Sequence, residues 1–229
     1  MSIRKIYKAK PGDYPAYAEM YMKWLPDDGL ILKHMEDNFY AVKHFIESLP
    51  SQKLLDRYRP DKWSIKEILV HIVDDERIFS YRALRFARNE QANLIGFDQD
   101  SYVSYSKADE RALDNILEEY EAVRKATIAL FKGLPEEALD RMGHGTATFN
   151  DATVRALLFH IAGHEQHHIN FIKENYLWDK LWSIWRVSKI STNDIIVALY
   201  ENLVDKFSAI LDALEPNEKC FLGTHERYA

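Results

Sequence analysis

Between Asp28 and Leu49 the apolar residues Leu32, Met35, Phe39, Val42 and Ile46 recur every three or four positions, the stripe of an amphipathic helix, and Pro50 ends it. A second helix announces itself at Ser64, where Glu67 three residues on completes a capping box. Ile68, His71, Ile72, Asp75, Ile78 and Phe79 follow, and the pattern predicts a run to about Arg88. The stretch NEQANLIGFDQDSYVSYS is polar and contains a glycine, so it reads as a long loop crossing one end of the domain. A third helix fits Ala108 to Leu134 through Leu113, Ile116, Leu117, Tyr120, Val123, Ile128 and Phe131, with Gly133-Leu134-Pro135 as its stop. Asp151 or Thr153 then caps a fourth, carrying Val154, Leu157, Phe159, Ile161, Phe171 and Ile172.

Four helices of roughly 20 residues or more make an all-α four-helix bundle the natural architecture. Residues 1–27, with Pro11, Gly12, Pro15 and Pro26, read as an N-terminal arm with one short helix, and 28–175 as the bundle. Residues 176–229 read as a helical C-terminal extension. There Trp178, Leu181, Trp182 and Trp185 share one helical face, and Ile195, Ile196, Leu199, Leu203, Phe207, Ile210 and Leu214 form a second stripe. Stripes of this kind ordinarily pack on the bundle or on a second subunit; a substrate lid or a role at a membrane surface is the alternative.

Composition narrows the class. Of 229 residues 47% are hydrophobic, enough for a sizeable core, while eight Gly and seven Pro are too few for the many tight turns of an all-β fold. A formal net charge of −6 argues against nucleic acid as a partner. Cys220 is the single cysteine and the N-terminus lacks an apolar leader pattern, so a reducing cytoplasm is expected. No apolar run approaches the ~18 residues of a membrane span.

The chemistry concentrates in the string HIAGHEQHH of the fourth helix. At ~100° per residue, His160, His164, His167 and His168 fall within about 100° of arc. Residues at i and i+4 can share one ion, whereas i and i+8 stand about 12 Å apart along the axis, so one helix supplies two ligands. The pairs His164 with His168, His160 with His164, and His164 with His167 remain open, and His164 is in all three. The third ligand must come from another helix, and His71 is the single histidine on the otherwise apolar face of the second. Three histidines leave a position open, as in catalytic rather than closed structural zinc sites. His164-Glu165-Gln166-His167-His168 also matches the H-E-x-x-H of zinc proteases, but Phe171 stands where the longer motif needs Gly, and no strand-bearing domain precedes it. A di-iron bundle would need two E-x-x-H motifs, and only Glu165 to His168 qualifies. Asp74, Asp75 and Glu76 lie near one turn beyond His71, and one of them could accept a free ring N–H; a solvated face paired with Arg77 and Arg82 is the competing reading.

Tyr58-Arg59-Pro60-Asp61-Lys62-Trp63-Ser64-Ile65-Lys66-Glu67-Ile68-Leu69-Val70-His71, then Asp75-Glu76-Arg77-Ile78-Phe79 and Tyr81-Arg82, then Gly163-His164-Glu165-Gln166-His167-His168, resemble the DinB-like superfamily, including YfiT-type proteins. The resemblance covers roughly residues 28–175. It implies an up-down-down-up bundle with one zinc or nickel ion per chain, and it selects His71, His164 and His168 as ligands. It further implies a homodimer and a small-molecule substrate. The expected function is a metal-dependent enzyme that activates a low-molecular-weight thiol for S-transfer, with metal-dependent hydrolysis second and Glu165 as candidate proton acceptor. A non-catalytic metal-binding or assembly module is the rival class. The loop containing Gly96, Asp98 and Asp100 is the expected entrance for substrate.

Overall fold

The computed structural model describes residues 4–146 and 151–177. Among these residues six α-helices follow in chain order: α1 (Glu19–Met22), α2 (Ile31–Glu47), α3 (Ile65–Ala87), α4 (Gln99–Ser106), α5 (Leu113–Gly133) and α6 (Val154–Asn175). Two short strands, β1 (Met142–His144) and β2 (Asp151–Thr153), pair antiparallel with Gly143 opposite Ala152. The apolar stripe of α2 is buried as its spacing requires, at Ile31, Leu32, Met35, Phe39, Val42 and Ile46. Both halves of the α3 capping box are present: Glu67 N donates to Ser64 Oγ at 3.1 Å, and Ser64 N donates to Glu67 Oε2 at 2.8 Å. Of the two candidate caps for α6, Thr153 fills the position and accepts from Ala156 N at 3.1 Å.

The region expected to be loop between α3 and α5 contains α4 instead. Asp98 nucleates it by accepting from Asp100 N and Ser101 N, and Lys107 ends it in the left-handed region at φ 53°. The third bundle helix starts later than its apolar pattern suggests: residues 108–110 form a 3-10 turn, Arg111 is extended, and α5 begins at Leu113. From Trp178 onward the expected C-terminal helices lie outside the described residues.

α3 packs chiefly on α5 and α6, and α2 on the same two helices, so α2 and α3 occupy opposite corners of the bundle. Two apolar clusters give the helix directions. In one, Ile31 to Met35 of α2 meet Phe79 to Ala87, Ile128 to Leu134, and Val154 to Ala162. In the other, Phe39 to Ile46 meet Ile65 to Val73, Ile116 to Val123, and Ile169 to Tyr176. Hence α2 and α6 run one way, and α3 and α5 the other. Between the clusters lies a layer of buried polar side chains: His71, Asp75, Glu76, Arg124, Thr127, His160, His164 and Glu165. Burying so many charged groups is costly unless each is partnered.

The N-terminal segment is part of the core. Ile6, Ala18 and Met22 are fully buried, and α1 packs against α6. The approach is close at Gly163, where a Cβ would lie 2.5 Å from the backbone oxygen of Tyr21, so only glycine allows this contact.

Candidate metal centre

The polar layer divides into two networks, each built from residues one or two helical turns apart on neighbouring helices. The first is an ion-paired knot. Arg124 on α5 is 2% exposed, and its Nη2 donates to Glu76 Oε2 at 2.9 Å while its Nε donates to Glu76 Oε1 at 3.0 Å. It also donates to Glu165 of α6, and its Nη1 reaches the carbonyl of Met35 on α2 at 2.6 Å. One guanidinium thus touches all four bundle helices. Tyr120 donates its O–H to the same Glu165 oxygen. Burial raises the Glu165 carboxyl above its ordinary range, opposed by Arg124 and by the Tyr120 hydrogen bond. For Arg124 burial works against the charge, but Glu165, Tyr120 and Glu76 outweigh it and hold the guanidinium firmly protonated. Glu165, expected as a proton acceptor, is therefore engaged by Arg124 and Tyr120, a placement that does not favour that role. Glu76, which could have faced solvent, is instead part of this knot, while Arg77 does stand on the exposed face and pairs with Glu119 at 2.9 Å.

The second network holds the histidines. His71 from α3 and His164 with His168 from α6 turn ring nitrogens toward one point, all within 4.8 Å of one another. His164 Nε2 stands 3.1 Å from His71 Nε2 and 3.1 Å from His168 Nε2. Nitrogens each ~2.0–2.1 Å from a common ion at angles between octahedral and tetrahedral are separated by about 2.9–3.4 Å, and the two separations from His164 Nε2 fall in that range, so three imidazoles of this kind are a donor set suited to a divalent metal. His71 and His164 are buried and His168 partly so. Burial followed by the neighbouring imidazoles lowers His164 well below its ordinary value and pushes His168 down to about 3. Burial likewise lowers His71. The rings are neutral at pH 7, which is the ligand form of imidazole. Among the three candidate pairs on α6, the geometry unites His164 and His168. His160 lies apart, stacked on Phe79 at 4.0 Å, and His167 packs edge-on to Tyr21 at 5.6 Å.

Asp75 completes the arrangement. It is 4% exposed, and its Oδ2, which accepts no hydrogen bond, lies 3.4 Å from His164 Nδ1 and 3.6 Å from His160 Nε2. A buried carboxylate on that side of a ligand imidazole would favour the proton on Nδ1 and leave Nε2 for an ion. Replacing Asp75 with Asn is expected to weaken metal affinity about 10- to 100-fold. Competition with a chromophoric chelator measures this, and an unchanged affinity would reduce Asp75 to a packing role.

The histidines are flanked by two cavities. One, of about 540 Å³, has His168 in its wall beside Tyr58, Trp63, Ile68, Phe171 and Tyr176. The other, of about 400 Å³, has His164 in its wall with Tyr17, Tyr21, Asp75, Arg82 and His160. The segment expected to admit substrate borders both: Gly96 and Asp98 line the second cavity and Asp100 the first. Burial raises the phenols of Tyr17 and Tyr21, which line the second cavity as O–H donors.

The family model of the DinB superfamily matches residues 34–172, a span that holds the whole bundle from early α2 to late α6 and all three histidines. The chain belongs to the DinB superfamily. This DinB protein is 24% identical over 143 residues to a protein of Oceanobacillus iheyensis named "putative metal-dependent hydrolase", an overlap of 62% of this chain and 81% of that one. Its fold is also that of YfiT from Bacillus subtilis, described as a probable metal-dependent hydrolase with an unusual four-helix bundle topology. That likeness has a TM-score of 0.59 at 18% identity and covers 76% of this chain and 95% of YfiT. Among the described residues of the DinB protein, no helix is long and apolar enough to cross a membrane.

Proposed function

We propose that this DinB protein is a metal-dependent enzyme acting on a small molecule, with His71, His164 and His168 holding one zinc or nickel ion. The observation that carries this reading is the convergence of three neutral imidazoles, two of them buried, beside cavities of about 540 Å³ and 400 Å³. A divalent ion in such a site keeps a position for an incoming group and lowers the pKa of water or a thiol that reaches it, generating a nucleophile at neutral pH. Hydrolysis is the first reading, supported by the names of both relatives.

The chain's own side chains divide the remaining work. Asp75 orients His164, and Trp63, whose ring lies 4.8 Å from that of His71, shields the ligand from water. Tyr58, Phe171 and Tyr176 offer aromatic walls to the organic body of a substrate. Asp100 and His167, which line the cavity beside His168, take over from Glu165 as the candidates for accepting a proton.

Transfer of a low-molecular-weight thiol to an electrophile is the second reading. It is favoured by the two cavities, which border different histidines of the set and so give room for two small molecules at one centre. Metal-loaded protein assayed against model esters and amides, and in parallel for conjugation of small thiols to an electrophile, separates the readings. Hydrolysis abolished by chelation and restored by zinc or nickel supports the first, conjugation with that dependence the second, and the absence of both defeats the enzyme proposal.

A further inference from the structure

Arg82 is assigned no part in holding an ion, yet it lines one of the two cavities that flank the histidines. It stands on α3 near the end of the polar layer, 3% exposed, and its guanidinium lies 4.9 Å above the ring of Phe79. Its Nη2 donates to the carbonyl of Ile95 at 3.2 Å, in the segment between α3 and α4. The same side chain forms part of the wall of the cavity of about 400 Å³ that reaches His164. The flat edge of paired N–H groups on a guanidinium matches a carboxylate.

The remaining wall agrees with an anion of low charge. Tyr17, Tyr21 and Thr146 contribute hydroxyls, and Thr146 Oγ1 already accepts from Gly96 N at 3.1 Å, so its O–H is left to donate. The two acids of this cavity have duties within the fold: Asp75 faces His164 and His160, and Asp98 caps α4. Their negative charge still penalises a doubly charged phosphate more than a singly charged carboxylate.

We propose that the cavity beside His164 is a carboxylate subsite, in which Arg82 anchors a singly charged carboxylate of the substrate and so holds its reacting end at the face formed by His71, His164 and His168. The inference rests on the metal-dependent reading above and adds to it the substrate class: small organic acids whose reacting group lies at a distance from a carboxylate.

Calorimetric titration of the metal-loaded protein with a series of dicarboxylates from succinate to pimelate, each beside the monocarboxylate of equal carbon number, tests this. At the fitting length the dicarboxylate should bind about tenfold more tightly, a difference of ~1.4 kcal/mol. In Arg82→Gln that preference should vanish while metal content stays at the wild-type level. Arg82→Lys, which keeps the charge without the two-pronged edge, should lose most of it, and it carries the test if the Gln variant does not fold. A preference that survives both substitutions, or is absent from the wild type, overturns the subsite. A carboxyphosphonate that binds more tightly than the dicarboxylate of its length overturns the assignment to carboxylates. Metal content measured in the same samples separates the two levels. Wild-type protein that takes up no ion removes the function and the subsite together, whereas loaded protein indifferent to Arg82 removes the subsite alone.

Discussion

Replacing His164 with alanine should strip the protein of its metal. Dialysed wild type is expected to hold about one divalent ion per chain, and His164→Ala and His71→Ala close to none, because removing either leaves only two imidazoles for the ion. His160→Ala and His167→Ala serve as comparisons. Neither residue joins the converging set, so both variants should retain metal. Elemental analysis reads the outcome directly, and unchanged metal in both His71→Ala and His164→Ala would remove the site. Stability gives an independent readout. An ion at ~1,000 times its dissociation constant stabilises the folded state by about 4 kcal/mol. Chelation should therefore lower the melting temperature of the wild type and leave that of His164→Ala unmoved.

The second large effect is expected at Arg124. Arg124→Met keeps much of the aliphatic stem but leaves Glu76 and Glu165 buried without their cation, and it removes the side-chain donor that the Met35 carbonyl has beside its helical one. Breaking a buried ion pair by removing one partner typically costs 3–5 kcal/mol, about a third of the stability of an ordinary domain. Chemical denaturation should show a loss of that size. The variant Arg124→Met, Glu76→Leu, Glu165→Leu, Tyr120→Phe should recover most of it, since apolar replacement of a whole buried polar group is often close to neutral. A single variant as stable as the wild type would show that the knot contributes nothing.

These two sites differ in how far they can be read from sequence. The histidines advertise themselves: imidazoles four residues apart, followed by the apolar Ile169 and Ile172, place two ligands on one helix, and the capping box at Ser64 fixes where α3 starts. Joining His71 to them requires the antiparallel alignment of α3 and α6, a tertiary fact, so spacing alone left three pairs open. Asp75, Glu76 and Arg82 read equally well as a solvated, salt-bridged face, and α3 instead buries all three. A clue was present, since Asp75, Phe79 and Phe86 continue the face of His71, and Arg124 interrupts the apolar stripe of Tyr120, Val123, Ile128 and Phe131. A charged residue inside such a stripe signals a partner across the core. α4 escaped because it has almost no apolar face, only Val103 being buried, and is held by its cap and its packing on α3. The contribution of residues 4–25 to the core was hidden by their prolines and lack of period, although Ile6, Ala18 and Met22 are fully buried.

Gly163 precedes His164, and the backbone of Tyr21 occupies the space a methyl group there would need. Of the two elements in contact, α6 is long and capped by Thr153, whereas α1 spans four residues and has no side-chain cap. A substitution at 163 would thus be absorbed by displacement of α1. Tyr21, whose ring packs edge-on to those of His160, His164 and His167, would withdraw with it. The absence of one methyl group on α6 in this way keeps the Tyr21 ring seated against three histidines of that helix.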